Sequence, residues 1–318
     1  HLSTTKIQNL THVIEFHLMS FSEVPELQPI LFGLFLSMYL VTVLGNLLII
    51  LGISCDTHLH TPMYFFLYNL ALANIGFSST TVPNMIMNIQ TQSRVISYTG
   101  CTAQMSLFLL FGCMDDMLLS VMAYDCFVAI CQPLHYTVIM NPHLSVLLLF
   151  MCCLISLLDM LLHNLIVLQS PCFKDVEISN FFCYPSHVLN LSCSDTLIEN
   201  IITFFIGLIF GIFPISGIFF SYYKIVSSIL KIPSSSGKYK AFSTWGSHLS
   251  VICLFYGTGT GEYIGSSVSH SPSRGMVATF MYTVVTPMLN PFIYSLRNKD
   301  VSSALKRLHS NVFHLKVG

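Results

Sequence analysis

The sequence predicts an all-α membrane protein: a seven-transmembrane helix bundle with a short amphipathic C-terminal helix. Three observations predict it. Of 318 residues, 53% are hydrophobic and 8% charged, where soluble domains carry about 25% charged residues. Apolar stretches of the roughly 20 residues needed to cross a core of about 30 Å recur near 29–54, 62–87, 100–125, 143–168, 198–224, 241–263 and 275–295. Lys and Arg, 13 in all, divide unevenly between the two sides that such crossings define. A net charge of −1 gives no footing for nucleic acid as a partner, and membrane lipid is the expected surroundings.

Taken in order, residues 1–28 precede the membrane and 29–295 form the helical part of a single domain over 1–318. The first span, "PILFGLFLSMYLVTVLGNLLIILGIS", is strongly apolar. "THLHTP" marks the approach to the second and "CQPLHYTVIMNP" the approach to the fourth. A connection from Gln169 to Thr196 follows, holding three cysteines; connections longer than about 12–15 residues are usually functional or disordered, and crosslinks favour order. Pro214 in the fifth span and Pro287 and Pro291 in the seventh each remove a backbone donor and permit a kink. "KIPSSSGKYK" is a flexible basic loop before the sixth span, which Ser, Gly and Thr dilute; small residues are common where membrane helices touch. In the tail, 296–318, Leu296, Val301, Leu305 and Leu308 share one face flanked by basic residues, the pattern of a helix resting on a leaflet.

Cytoplasmic loops retain Lys and Arg. With the N-terminus extracellular, the inner side holds Lys224, Lys231, Lys238, Lys240, Arg297, Lys299, Lys306, Arg307 and Lys316, and the outer side only Lys6, Arg94, Lys174 and Arg274. Cys101, Cys172, Cys183 and Cys193 then face the oxidising side, where disulfides persist; four cysteines allow three pairings. The sequons at Asn9 and Asn190 also fall there. No cleavable signal peptide is visible, and the chain opens on His1 rather than Met, which reads as a trimmed chain whose first span directs insertion.

Motifs then narrow the class. "GN" at 45–46, "LHTPMYFFL" at 59–67, "MAYD" at 122–125, "SYYKI" at 221–225, "KAFST" at 240–244, "SHL" at 247–249 and "PMLNPFIYSLRNKDV" at 287–301 occur in order over nearly the whole chain. By them the sequence resembles a vertebrate olfactory receptor of the rhodopsin-like G-protein-coupled superfamily, most like the group that includes subfamily 7.

The resemblance implies a plasma-membrane receptor, not an enzyme, that binds small, volatile, weakly polar organic molecules and couples to a heterotrimeric stimulatory G protein to raise cAMP. It implies disulfides Cys101–Cys183 and Cys172–Cys193, stapling the long loop as a lid. It places the ligand among Phe108, Leu109, Gly112, Cys113, Ile206, Gly207, Phe210, Tyr256, Gly259, Thr260 and Phe280. No acidic residue in that set would clamp an amine, so amine ligands are disfavoured. Asp115, with Asn74 and Asn290, matches a sodium and water pocket of the family, although Asn74 replaces one expected carboxylate. A protonated Asp115 bonded to its neighbours is the alternative, and no other cofactor is implied. Asp159 and His163, four apart on one helical face, can satisfy each other.

The family's switch is a third-helix arginine after Asp125, followed by an aromatic residue. Here Cys126 and Phe127 hold those places. Cysteine is short, neutral and a weak hydrogen-bond partner, so Asp125 loses its cation. Asn290, Pro291 and Tyr294 belong to a segment that moves on activation in the family, with Tyr294 meeting Tyr222. Trp245 and Tyr184 are further departures. Together with the absent Met they lead to an expectation of weak or absent signalling, a receptor-shaped protein without coupling being the alternative. Transporters and channels would want repeats or a lined polar path, and neither is visible.

Overall fold

A computed structural model describes residues 15–19, 24–169, 173, 175–178, 180–191, 197–231, 246, 248–261 and 272–314. Among them, β1 (Glu15–Leu18) leads to α1 (Gln28–Cys55) and α2 (Pro62–Thr91). Strand β2 (Val95–Ser97) runs into α3 (Tyr98–Cys131), followed by the short α4 (Tyr136–Ile139) and α5 (Pro142–Leu168). The connection beyond holds β3 (Glu177–Ile178) and α6 (Pro185–Asn190), then α7 (Leu197–Leu230). Helix α8 spans 248–261. The last span is composite: α9 (Pro272–Phe280), a π-helical turn Met281–Val285, and α10 (Thr286–Arg297). Helix α11 (Lys299–His314) is the last described element.

The spans begin where the sequence supplies starts. Proline lies in the first turn of α1, α2 and α5, where its missing N–H is not needed. The Ser97 hydroxyl accepts from the Gly100 N–H at 3.1 Å to cap α3, and Asn141 Oδ1 accepts from the Leu144 N–H at 2.9 Å to cap α5. At about 1.5 Å per residue, the 28 residues of α1 suffice to cross a bilayer. Several spans outrun the apolar stretches: α2 continues to Thr91, α3 to Cys131 and α7 to Leu230.

Five described helical stretches are long and apolar enough to cross a membrane by length and composition: Gln28–Cys55, Tyr98–Cys131, Pro142–Leu168, Ile201–Leu230 and Met276–Ser295. Helix α2 is long but more polar, and its Asn74, Ser78, Thr80 and Thr81 are buried, so the polar residues that dilute it face protein rather than lipid. Lipid-facing positions remain apolar: Leu147, Phe150, Leu158 and Leu161 of α5 are exposed, as are Ile209, Phe213 and Phe219 of α7.

Helix α3 is the central post. It packs against α2, α5 and α7, and Asn164 Nδ2 of α5 donates to the Ser106 hydroxyl at 2.9 Å. The main core runs from Ile49 and Leu70 through Leu118 and Met122 to Ile225 and Tyr294. Two smaller clusters lie toward the end bearing β1, one around Phe16, Met105 and Cys183, the other around Phe77, Phe108 and Phe182.

A three-stranded sheet of order β2-β1-β3 is the one addition to the all-α expectation among the described residues. Strand β1 pairs antiparallel with β2 (Phe16 opposite Ile96) and parallel with β3 (His17 opposite Glu177). At the opposite end, α11 turns back across the bundle. Leu305 lies against Gly52, Asn298 Oδ1 accepts from the Asp300 N–H at 3.0 Å, and the Tyr64 hydroxyl donates to Asp300 at 3.0 Å. Arg307 pairs with Asp56 in the turn after α1.

Candidate ligand cavity and activation site

A cavity of about 570 Å³ opens among α3, α5, α7, α8 and the π-helical turn, beneath the connection carrying β3 and α6. Helical spacing turns Phe108, Leu109, Gly112, Cys113 and Asp116 of α3 toward it. Gly207, Phe210 and Gly211 of α7 face them, and Phe255, Tyr256, Gly259 and Thr260 of α8 complete that side. Glycines hold the cavity open and its neighbours close: a Cβ on Gly112 would stand 3.2 Å from the Phe77 ring, and one on Gly259 would stand 3.3 Å from Tyr282. The π turn places Tyr282 in the wall, a local widening of the kind often found at functional sites.

Nine of the eleven sequence-predicted pocket residues line this space: Phe108, Leu109, Gly112, Cys113, Gly207, Phe210, Tyr256, Gly259 and Thr260. Ile206 instead packs with the cluster beneath the lid, and Phe280 stacks on Phe35 at 5.4 Å between ring centres. Sequence reasoning missed Asp116, Asp159, His163, Tyr184, Thr203 and Tyr282. The expected set held no acid where an amine would be clamped, but two carboxylates, Asp116 and Asp159, line the cavity. Tyr256 donates to Asp116, and His163 Nδ1 lies 3.2 Å from Asp159 Oδ1. Both carboxylates stand in the wall because α3 and α5 turn those faces inward. The signal was available, since acids in apolar runs usually face a bundle interior or cavity.

The lid is held from several directions. Cys101 and Cys183 form a disulfide; Cys172 and Cys193 lie outside the described residues. The Gln104 side chain accepts from the Cys183 N–H at 3.1 Å and donates to the Thr80 carbonyl at 3.0 Å, tying lid, α3 and α2 together. Phe182 stacks on Phe108 at 4.9 Å, and Asn180 donates to Thr279 at 3.4 Å. Burial lowers the His187 pKa below its ordinary value of 6.5, and Asn180 Nδ2 lies 3.4 Å from its Nε2. Of the sequons, Asn9 lies outside the described residues and Asn190 ends α6.

Deeper in the bundle, Asn290 Nδ2 donates to Asn74 Oδ1 at 3.1 Å. Asp115 Oδ1, Asn290 Oδ1 and the Ser78 hydroxyl are buried without a hydrogen-bond partner among the described residues. Unpaired buried oxygens cost free energy.

At the far end of α3, Cys126 is 6% exposed, and Asp125 accepts a hydrogen bond from the Tyr136 hydroxyl at 3.0 Å. Outside the spans, burial first and then the neighbouring Asp125 raise the Tyr136 pKa, so it is a firm donor. Cys126, Tyr222 and Tyr294 belong to one buried cluster. His248 stands between the tyrosines, 6.3 Å from the Tyr222 ring centre and 3.3 Å from the Tyr294 hydroxyl. Phe127 packs on Tyr124 and Phe220, and Pro291 meets Gly45, where an added Cβ would stand 2.9 Å from its ring. Trp245 lies outside the described residues.

This arrangement, a helical bundle around a lidded cavity, is a fold shared with a rhodopsin. The crystal structure of squid rhodopsin superposes with a TM-score of 0.70 at 19% identity, covering 92% of this chain and 88% of that one. The family model described as olfactory receptor matches residues 35–312, and the chain belongs to the olfactory receptor family. Human olfactory receptor 7E24 is 69% identical over 98% of this chain and 91% of its own length. Mouse olfactory receptor 7E178 is 66% identical over 95% and 91%, and human olfactory receptor 7D4 is 57% identical over 95% and 97%. The protein is therefore a multi-pass membrane protein of a non-enzymatic receptor family.

Proposed function

We propose that the chain binds small, mainly apolar organic odorants in the cavity beneath the lid and couples only weakly to a stimulatory G protein. The cavity carries this reading: its volume lies in the ordinary range for small-molecule sites, and its wall is largely apolar and aromatic with a few polar groups, the usual composition of such sites. Olfaction is the sense named by the family. The lid and N-terminus would be extracellular and the tail cytoplasmic, supported by the nine-to-four division of Lys and Arg. Glycosylation at Asn9 and Asn190 and the Cys172–Cys193 disulfide would belong to that outer face.

Weak coupling is supported by Cys126. An arginine there could pair with Asp125 at rest and extend toward the G protein when the bundle opens. The thiol can do neither, and Asp125 is engaged by Tyr136. In this proposal Tyr222, Asn290, Pro291 and Tyr294 provide the movable parts, with Phe127 at their edge. A sodium ion held by Asp115 and Asn290, with Asn74 fixed by Asn290, would supply only electrostatic stabilisation at the core.

In transfected cells carrying an N-terminal tag to normalise surface export, Cys126→Arg is expected to raise odorant-driven cAMP several-fold over the unmodified chain. Equal signalling by the two would refute weak coupling. A tag reachable only after permeabilising the cells would refute the orientation.

A further inference from the structure

We propose that the cavity recognises a protonated amine on an apolar body, with Asp116 receiving the ammonium group. The inference rests on the ligand-cavity reading above and names the ligand class for the same site. Asp116, Asp159 and His163 are all buried and all line the space. No Lys or Arg among the described residues joins them there.

The two carboxylates are not equivalent. Asp159 already has a group able to carry positive charge, His163 Nδ1 at 3.2 Å. Among the described residues, Asp116 is given only the Tyr256 phenol, a neutral donor. A carboxylate offers about four acceptor positions, and one phenol leaves room for a ligand N–H. An ionised carboxylate in an apolar interior is costly unless paired, so a ligand cation supplies the partner that the described residues do not.

The remaining wall suits the same head group. Tyr184, Phe210, Phe255 and Tyr282 present aromatic rings around the space, and ring faces attract ammonium groups. The Thr203 hydroxyl also lines the cavity and is buried without a hydrogen-bond partner among the described residues, offering an acceptor for a second ammonium proton. An apolar ligand body fills the space between α3 and α7.

The test compares 2-phenylethylamine with 2-phenylethanol, which share a body and differ in the head group, by ligand-induced thermal stabilisation of the purified full chain near neutral pH. The amine is expected to bind at least about tenfold more tightly, the scale of one desolvated charge-assisted contact, and Asp116→Asn is expected to erase that preference. Equal or tighter binding of the alcohol overturns the inference while leaving the ligand cavity standing. Binding of neither compound overturns the cavity reading and the inference together. Should Asp116→Asn fail to fold, Tyr256→Phe replaces it: freeing the carboxylate must leave the amine preference at least as large, and its loss overturns the assignment to Asp116.

Discussion

At the scale of single residues, contact distances decide what can be exchanged. Gly45 of α1 faces Pro291 of α10 so closely that an added Cβ would stand 2.9 Å from the ring. A proline ring cannot rotate aside as the end of a flexible side chain can. Gly45→Ala is therefore expected to destabilise the bundle by about 1–3 kcal/mol, the usual cost of overpacking, read as a lower thermal midpoint of the purified protein. A midpoint equal to that of the parent would show that α1 and α10 separate freely. By contrast, Gly207 and Gly211 have open space where a Cβ would lie, and the same test there should show no clash. Residue chemistry was legible unevenly in the sequence. Asp159 and His163 could be paired by their spacing alone, because four positions on a helix are neighbours. The Asp125–Tyr136 bond could not, since it depends on the path of the chain after α3.

At the scale of elements, the spans were readable because lipid leaves little choice: backbone groups without water must bond within a helix. Their ends were not, as α2, α3 and α7 continue past the apolar stretches with polar residues that hydropathy discounts. Nor was the π turn at Met281–Val285, a change of winding that hydropathy does not register. The meeting of α2, α3 and α10 carries a prediction of its own. If a sodium ion joins Asp115 and Asn290, sodium should stabilise the folded bundle relative to choline at equal ionic strength. The gain is about 1.4 kcal/mol at a concentration roughly tenfold above the dissociation constant. Asp115→Asn should abolish the difference. Identical melting in the two salts would leave those buried oxygens to be satisfied by water or a proton.

At the scale of the whole molecule, the lid couples the β1 end to the cavity, and His187 is expected to make that coupling sensitive to acid. Its pKa is lowered by burial, so the closed lid favours the neutral ring. The stabilisation is fully present above the ordinary value of 6.5 and is lost as pH falls through it toward the lower folded value, because the opened lid then takes up the proton more readily. The protection of amides in residues 180–191, corrected for the slower intrinsic exchange at lower pH, is expected to fall between pH 7.5 and 5.5, and His187→Gln should remove that fall. Unchanged protection would mean that the disulfide and Gln104 alone hold the lid. The cavity as a whole was legible in the sequence through family motifs, but its acidic wall was not. The sequence shows Asp116 only as an acid inside an apolar run, and it takes the rotation of α3 to show which space it meets.

The placement of β1 has a consequence for how the chain is made. A ribosome delivers this strand first, yet its neighbours arrive only after α2 and after α5 have been synthesised. Such distant pairing is slow to form. The leading segment must wait for β3 until α1, α2, α3 and α5 have been made, and it can dock in full while α7 to α11 are still to come.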